Sequence, residues 1–283
     1  MKIGLIGYGY WGKYVARAIA RAGELSVIVD QDPQALMQAF ETWGPWGTRV
    51  TSEAKVAHEE CDAVWIATPN RTHFEDVSAA LSAGQHVLCE KPFVTDVELA
   101  LSLTEFAKSE DQVLMVGHLQ LYTEAHRLAR RKCTSGQQSK LRITRKNTQP
   151  SLSDGSVLWG IGPHDVAAII DLFGPEYEIK RGFGTQHYVS AELRFPGKID
   201  VSLELDWLAE KKERMFVLGT EDLATAPNKV EPLLAEAFQF VRLCQGANPG
   251  RADTLRQEAV DVTSCLGELE AIMQETTTEE VLS

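Results

Sequence analysis

The sequence lacks long hydrophobic runs and an excess of positive charge. Each absence disfavours one class of protein. No apolar run approaches the roughly 20 residues that cross a bilayer. Lys and Arg number 28 against 40 Asp and Glu, which gives a formal net charge of −12. Nucleic-acid binding draws on clustered Lys and Arg, so this surplus of acid disfavours such a partner. The sequence predicts a protein with neither a membrane nor a nucleic-acid partner.

The cysteines form no CxxC pair and no metal-finger spacing. They are Cys61, Cys89, Cys133, Cys244 and Cys265. An odd, scattered set of this kind is typical of reduced, mostly buried thiols. The histidines show no ligand spacing either, so we expect no metal site. Because Met1 and Lys2 run directly into an apolar segment without a leader pattern, we expect a soluble, cytoplasmic protein.

The first part of the chain alternates short apolar runs with segments of helical periodicity. Hydrophobic residues make up 44% of the 283 residues, which is enough for two domain cores. Residues 12–22 are one helical segment, with Val15 and Ile19 on its apolar side. Strands and helices that alternate in this way form right-handed β-α-β units. We predict an α/β domain over residues 1–119 with a doubly wound parallel sheet.

The pattern changes after about residue 120. Three consecutive segments there alternate polar and apolar residues between Gly or Pro turns, which is typical of antiparallel strands. They lie near 177–184, 187–195 and 198–207. Two helices, near 232–245 and 253–273, precede a polar tail that we expect to fray. We predict an α+β domain over residues 120–283, with a mostly antiparallel sheet.

A glycine-rich turn follows the first predicted strand. Residues 7–12 read Gly-Tyr-Gly-Tyr-Trp-Gly, the G-x-G-x-x-G pattern, with Tyr10 and Trp11 as its paired aromatic residues. Gly7 makes the tight turn, Gly9 lets the backbone approach a pyrophosphate, and Gly12 allows close helix–sheet packing. The following helix adds free N–H donors at its start. The pattern predicts a Rossmann domain that binds a dinucleotide.

Asp30 ends the second predicted strand. A carboxylate at this point accepts hydrogen bonds from the adenosine ribose hydroxyls and repels a 2′-phosphate. Neither Gln31 nor Asp32 supplies a cation that would offset this repulsion. The sequence therefore predicts NAD as the cofactor and favours it over NADP.

Further motifs resemble the glucose–fructose oxidoreductase / inositol dehydrogenase / MocA family. After the glycine turn and Lys13, they are Ala67-Thr68-Pro69-Asn70 with His73, Gly84 to Cys89-Glu90-Lys91-Pro92, Gly117-His118 with Tyr122, and Trp159-Gly160-Ile161-Gly162-Pro163-His164-Asp165. Their order and spacing agree with the family over residues 1–175. The glycine turn and the Trp159 segment are most similar to the branch that acts on nucleotide-linked sugars.

The resemblance implies that Lys91 and His164 are catalytic. In the family, the lysine of Glu-Lys-Pro lies where the substrate meets the nicotinamide, and its ammonium suits it to polarise a sugar hydroxyl or ketone. The histidine that His164 matches takes the hydroxyl proton and returns it in the reverse direction. Asp165 either orients a neighbour or, as we expect, caps the helix.

The resemblance and the strand assignments add further candidate contacts. Those for the cofactor are Tyr10 and Trp11 of the glycine turn, with Thr68, Pro69, Asn70, His73, Glu90 and Lys91. Those for the substrate are Lys91, Tyr122, Arg145, Asn147, Trp159 and His164. Each set has an alternative: helix capping for the Thr68–His73 segment, bracing of the loop for Glu90, and packing or surface roles for the residues beyond Lys91.

Gly160 departs from the family pattern. Many members carry Asp at this position, four residues before the histidine, where the carboxylate contacts a substrate hydroxyl. Two alternatives stay open: Asp154 or another group compensates, or the activity is low or altered.

These features together predict an NAD-dependent dehydrogenase or reductase. It would transfer hydride between nicotinamide and the hydroxyl or ketone of a sugar, with a nucleotide sugar as the expected substrate. One alternative is a dehydrogenase of free polyols, inositols, cyclic ketones or imines. Another is a non-catalytic, NAD-sensing or regulatory protein. The resemblance also implies a homodimer or homotetramer, joined through the outer face of the second sheet.

Overall fold

The computed structural model describes residues 1–134, 140–149 and 155–282. Its chain divides into two compact units. The first contains Met1–Val94, Glu98–Gly117 and Val230–Val260, and the second contains Thr95–Val97, His118–Lys229 and Asp261–Ser283. Residues 230–260, which the sequence assigns to the second domain, therefore group with the first unit.

The first unit is built around a six-stranded parallel sheet. Its strands are β1 (Lys2–Ile6), β2 (Glu24–Val29), β3 (Arg49–Thr51), β4 (Ala63–Ile66), β5 (His86–Glu90) and β6 (Leu114–Gly117). They lie in the order β3-β2-β1-β4-β5-β6, and every neighbouring pair is parallel. This is the strand order of a Rossmann domain, and it confirms the predicted doubly wound sheet.

Five helices alternate with these strands. They are α1 (Gly12–Ala22), α2 (Pro33–Trp43), α3 (Ala54–Glu60), α4 (His73–Ser82) and α5 (Val97–Ser109). The apolar side predicted for α1 is buried, since Val15 and Ile19 have no exposed surface. Asp32 caps α2 by accepting a hydrogen bond from the Gln34 N–H at 2.9 Å. Neither β3 nor α3 was predicted, because both are too short to show a clear period.

The second unit contains a mixed, mostly antiparallel sheet. Its strands are β7 (Lys140–Lys146), β8 (Glu178–Gly184), β9 (Tyr188–Phe195), β10 (Ile199–Asp206), β11 (Glu213–Leu218) and β12 (Glu221–Asp222). Their order is β12-β11-β7-β10-β9-β8, with only the β7–β10 pair parallel among these strands. This confirms the α+β prediction.

Two helices accompany this second sheet, α6 (Glu124–Thr134) and α7 (Val157–Phe173). Helix α7 packs against β9 and β10. Its buried Val166 shares one apolar core with Leu203 of β10 and Phe216 of β11. Alternate residues of the strands therefore face α7, as the period of two requires.

Helices α8 (Pro232–Cys244) and α9 (Pro249–Leu282) end the described chain. Helix α8 packs against α1 within the first unit. Helix α9 is longer than the predicted 253–273 and continues through the segment that we expected to fray. In the ranges that the structure describes, no helix has the length and apolar character needed to cross a membrane.

All five cysteines are free thiols. Cys61, Cys89 and Cys265 are buried, and Cys133 and Cys244 are half-buried. Burial raises the pKa of the Cys61 thiol to about 12, so the thiol keeps its proton and is a poor nucleophile. The cysteines therefore act as small core residues.

Three glutamates of the first unit have buried side chains. Glu236 of α8 is 1% exposed, Glu258 of α9 is 6% exposed and Glu90 of β5 is 7% exposed. The Glu236 Oε1 has no hydrogen-bond partner in the described part of the chain. Burial, followed by the charges of Glu90 and Glu258, raises the pKa of Glu236 well above its ordinary value. Glu236 therefore holds its proton to a higher pH than an exposed glutamate does.

Replacing Glu236 by Gln should stabilise the protein at alkaline pH. Above the ordinary glutamate pKa the unfolded chain releases a proton that the folded state still holds, so the stability of the wild type falls as the pH rises towards the folded-state pKa. Gln resembles the protonated carboxyl and cannot ionise. We expect the Tm of Glu236→Gln to exceed that of the wild type by about 2–4 °C at pH 8.

This difference in Tm should shrink as the pH falls towards 4, where both states of the wild type are protonated. Glu41→Gln is the matched control, since it removes an exposed carboxyl from α2 of the same unit. The expectation fails if Glu236→Gln melts below the wild type at pH 8, or if its difference in Tm does not change with pH.

Candidate functional site

The three glycines of the turn after β1 have different surroundings. Gly7 has φ +98°, and a Cβ there would lie 2.6 Å from the Ala67 carbonyl oxygen. A Cβ at Gly12 would overlap the Gly7 carbonyl oxygen. The fold itself therefore requires glycine at both positions. Gly9 is exposed, and a Cβ there would meet nothing within 4 Å. This open space beside the start of α1 fits the pyrophosphate of a dinucleotide.

Two backbone donors fix Asp30 at the end of β2. The Tyr8 N–H donates to Oδ2 at 2.5 Å, and the Asp32 N–H donates to Oδ1 at 2.8 Å. A carboxylate oxygen has more than one lone pair, so Asp30 can still accept hydrogen bonds from ribose hydroxyls. The contact with Tyr8 ties the glycine turn to the residue that the sequence assigns to the ribose.

Tyr10 and Trp11 belong to an aromatic cluster at the start of α1. The Tyr10 and Tyr14 rings meet edge to face with centroids 5.5 Å apart, and the Trp11 and Tyr14 centroids are 5.7 Å apart. Tyr10 is 80% exposed. The cluster lies beside Gly9 in the chain, and its contact with the cofactor stays a prediction.

The segment after β4 is braced by threonine hydroxyls. Thr68 Oγ1 donates to Asp76 Oδ2 at 2.7 Å, and Thr72 Oγ1 donates to the same oxygen at 2.8 Å. Asp76 lies in the first turn of α4. Pro69 is exposed and Asn70 is half-buried at the start of a short 3-10 turn. The Thr68 side chain therefore supports the start of α4, the capping alternative for this segment.

His73 links the segment after β4 to the segment after β5. It is 1% exposed, with Nδ1 2.8 Å from the Pro92 carbonyl oxygen and Nε2 2.9 Å from the Thr68 carbonyl oxygen. Both ring nitrogens therefore face carbonyl oxygens, which act as hydrogen-bond acceptors. The His73 side chain braces these two segments, and its contact with the cofactor stays a prediction.

Lys91 follows the last residue of β5 and is half-buried. The Lys91–Pro92 peptide bond is cis. The preceding Glu90 is buried, and Trp65 Nε1 donates to its Oε1 at 3.2 Å. Burial raises the pKa of Glu90, whereas the Trp11 indole and the Lys91 ammonium lower it. These contacts agree with a bracing role for Glu90 behind Lys91.

The strand order of the first sheet brings these segments to one edge. β1, β4 and β5 are neighbours and parallel, so the residues that follow them lie at the same end of the sheet. In doubly wound sheets ligands bind at this end, at the point where the strand order reverses, which here lies between β1 and β4. The topology therefore groups the glycine turn, the Thr68–His73 segment and Lys91.

In the second unit, His164 and Asp165 lie inside α7. The helix begins at Val157, and Ser156 caps it by accepting a hydrogen bond from the Trp159 N–H at 3.4 Å. The expectation that Asp165 caps the helix is wrong, because the helix starts well before it. Asp165 is 1% exposed and accepts hydrogen bonds from Arg145 Nε at 2.7 Å and Nη2 at 2.6 Å. It therefore orients a neighbour, the other alternative.

The other predicted substrate residues have mixed surroundings. Trp159 is 5% exposed within the apolar core, where packing accounts for its side chain. Tyr122 is half-buried at the end of a 3-10 turn, and the backbone of Asn147 extends the pairing of β7 with β10. Asp154, named as a replacement for the missing carboxylate, lies outside the described residues. Gly160 is buried in α7.

Two residues that the sequence analysis did not select belong to the surroundings of Arg145. Arg214 on β11 is the direct cross-strand partner of Arg145. Arg214 Nη2 donates to Oε1 of Gln120, which is 3% exposed. The alternation of residues along β11 could have identified Arg214, since it places Arg214 on the same face of the strand as the buried Phe216 and Leu218. No three His, Cys, Asp or Glu side chains within the described ranges form a group that could hold a metal.

Comparison with known proteins identifies the first domain. Residues 1–118 match GFO_IDH_MocA, described as an oxidoreductase family with an NAD-binding Rossmann fold. The domain belongs to this family. The UDP-N-acetylglucosamine 3-dehydrogenase of Acidithiobacillus ferrooxidans is 34% identical to this chain over 119 residues. The match covers 42% of this chain and 37% of that relative, so it spans little more than a third of the relative's length.

Solved structures match this chain over nearly its whole length. A UDP-N-acetylglucosamine 3-dehydrogenase from Acidithiobacillus ferrooxidans has a TM-score of 0.86 at 22% identity, over 97% of this chain and 98% of that one. The scyllo-inositol dehydrogenase of Lactobacillus casei, with bound NAD(H) and scyllo-inositol, has a TM-score of 0.82 at 18% identity, over 98% and 97%. At these identities the likeness establishes the shared fold.

Gly9→Ala should weaken NAD binding without destabilising the protein. The added methyl group meets no protein atom but occupies the space that the pyrophosphate needs. We expect the Kd for NADH, measured by fluorescence titration, to rise at least about tenfold while the Tm is unchanged, since each 1.4 kcal/mol is one decade in affinity.

Two further glycine variants serve as controls for Gly9→Ala. Gly7→Ala should lower the Tm strongly, because a Cβ there collides with the Ala67 carbonyl group. Gly250→Ala, at an open position in α9 of the same unit, should leave the Kd unchanged. NADH binding by Gly9→Ala as tight as that of the wild type would contradict the assignment of this space.

Asp30→Asn should reduce the preference for NAD over NADP. The amide retains one oxygen for a backbone donor and removes the charge that repels a 2′-phosphate. We expect the ratio of Kd values, NADPH over NADH, to fall by about tenfold or more, which corresponds to about 1.4 kcal/mol. Asp62→Asn is the control, since Asp62 precedes β4 at the opposite end of the strands. An unchanged ratio in Asp30→Asn would contradict the role of this carboxylate.

Proposed function

We propose that the protein is an NAD(H)-dependent oxidoreductase acting on the hydroxyl or ketone of a sugar. The family of the first domain supports the cofactor and the reaction class. Relatives that are named as dehydrogenases of a nucleotide sugar and of an inositol support the substrate class. A nucleotide-linked sugar is the substrate that we favour within this class.

One observation carries the proposal. The segments that follow the adjacent parallel strands β1, β4 and β5 lie at one edge of the sheet. The segment after β1 has an open position at Gly9, and the segment after β5 carries the half-buried Lys91. A dinucleotide held at Gly9 and Asp30 therefore has a lysine at the same edge of the sheet. When bound, NAD supplies the acceptor for hydride and NADH supplies the donor.

The residues of the chain position the substrate and handle its proton. Lys91 Nζ donates a hydrogen bond to the reacting oxygen and so stabilises the negative charge that develops on it. The His164 imidazole takes the hydroxyl proton in oxidation and returns it in reduction, a task suited to a group that changes charge near neutral pH. The buried Glu90 and His73 fix the segment that carries Lys91, which keeps its ammonium in place.

Gly160 favours a second candidate function, an NAD-sensing protein without turnover. A glycine inside α7 supplies no carboxylate to the reaction, although Lys91 and His164 are both retained. Substitution of Lys91 distinguishes the two functions. In an NAD sensor, Lys91→Ala would leave the biological activity unchanged while Gly9→Val abolished it.

The second unit also supports a proposal of self-association. The outer face of its sheet, opposite α7, carries the partly exposed residues Ser190 and Ser202 among charged side chains. We propose a homodimer or homotetramer that uses this face.

Single-turnover formation of NADH tests the proposed reaction. Stoichiometric protein and NAD are mixed with UDP-, dTDP- and GDP-sugars, free sugars or inositols, and the absorbance of reduced nicotinamide is followed. We expect one substrate class to give a signal, and Lys91→Ala to slow it by about 10²- to 10⁴-fold, the usual contribution of a positioned acid–base group.

Lys108→Ala is the matched control for Lys91→Ala, because Lys108 is exposed on α5 of the first unit. It should react at the wild-type rate. Fluorescence titration should show that Lys91→Ala still binds NADH. If no substrate gives a signal while NAD binding is intact, the sensor replaces the dehydrogenase as the favoured function.

A further inference from the structure

On the side of the second sheet that faces α7, the rows of apolar residues on β7 and β11 each end in an arginine. On β7, Leu141 and Ile143 are buried in the core, and Arg145 continues their row. On β11, Leu218 and Phe216 are buried and Arg214 continues theirs. The register pairs Arg145 directly with Arg214. Directly opposed residues in an antiparallel pair have Cβ atoms about 5 Å apart, so two guanidinium groups start from neighbouring positions.

The two arginines are not equally neutralised. Asp165 accepts two hydrogen bonds from Arg145, in the bidentate geometry that pairs a guanidinium with one carboxylate. Arg214 donates to the neutral amide oxygen of Gln120, and no carboxylate of the described residues lies within salt-bridge distance of it. Partial desolvation, followed by the charge of Arg145, lowers the pKa of Arg214, and the charge of Asp165 opposes this shift. The cluster therefore keeps one uncompensated positive charge, in a protein of net charge −12.

A purely structural role does not account for this charge. Like charges on directly opposed strand positions are unfavourable, and an apolar residue at 214 would continue the row of Phe216 and Leu218 without that cost. Gln120 is 3% exposed and accepts a hydrogen bond that orients the guanidinium of Arg214, which is itself an exposed residue. An oriented, accessible cation that lacks a carboxylate is suited to an anionic ligand.

The cluster includes the residue that follows a proposed reacting group in the chain. Asp165, which holds Arg145, directly follows His164 on α7. The planar guanidinium matches the oxygens of a phosphate or a carboxylate.

We infer that Arg214 binds an oxyanion of the substrate, with Arg145 beside it and Gln120 orienting its guanidinium. This inference rests on the proposed function. The shared chemistry is a phosphate or carboxylate group. The substrate is accordingly an anionic sugar, such as a nucleoside diphosphate sugar or a uronic acid, rather than a neutral polyol.

Equilibrium binding of UDP, glucuronate and myo-inositol tests this inference without any need for turnover. Titration calorimetry is performed on the wild type, Arg214→Gln, Arg214→Lys and Gln120→Glu. We expect Arg214→Gln to weaken the binding of the anion at least tenfold, and Arg214→Lys to weaken it less because the point charge is kept. Gln120→Glu should weaken it as strongly as Arg214→Gln, since the new carboxylate would pair with Arg214. Added salt should weaken the binding by the wild type.

Arg142→Gln is the matched control. Arg142 is exposed on the same strand as Arg145 but on the opposite face, so its loss removes the same charge and should leave the Kd unchanged. Circular dichroism and the Tm establish that each variant is folded. A structural role for Arg214 would lower the Tm without separating anionic ligands from the neutral inositol.

The outcomes distinguish a phosphate ligand from a carboxylate ligand. They also distinguish failure of the anion site from failure of the proposed dehydrogenase reaction. Loss of UDP binding in Arg214→Gln supports a phosphate group, and loss of glucuronate binding supports a carboxylate. If the wild type binds neither anion, or if Arg214→Gln and Gln120→Glu bind both as the wild type does, the inference is overturned. If anion binding depends on Arg214 but no sugar yields NADH, the anion site stands and the proposed dehydrogenase fails.

Discussion

The parallel alignment of β1, β4 and β5 is the constraint on which the candidate cofactor site depends. Each strand ends at the same edge of the sheet, so the glycine turn, the Thr68–His73 segment and Lys91 share that edge although they are far apart in the sequence. The buried His73 then holds two of these segments together through the Thr68 and Pro92 carbonyl oxygens. A buried side chain on a different segment therefore helps to determine where Lys91 lies.

Both units contain buried ionisable groups, and they compensate them differently. In the first unit, Glu236 has no hydrogen-bond partner for Oε1 among the described residues, and it avoids a buried charge by keeping its proton. In the second unit, Asp165 neutralises Arg145 through two hydrogen bonds. Arg214 has no such carboxylate, which is why it is the group whose charge is available to a ligand.

Local features of the chain predicted much of the first domain. The G-x-G-x-x-G turn, the apolar side of α1 and Asp30 are all set by residues close in sequence, so their pattern is sufficient. Prediction failed where the local signal was weak or absent. The strand β3 has only three residues, and the capping role expected of Asp165 is wrong because this residue lies inside α7.

The sequence by itself determined the fold class, the dinucleotide turn and the motif that contains Lys91, because each depends on the period or spacing of neighbouring residues. Only the tertiary structure decided that His73 is a brace, that Asp165 orients Arg145 and that Arg214 lies opposite Arg145. These relationships join residues from different strands and helices. They depend on strand register and side-chain packing, which the pattern of a single segment does not contain.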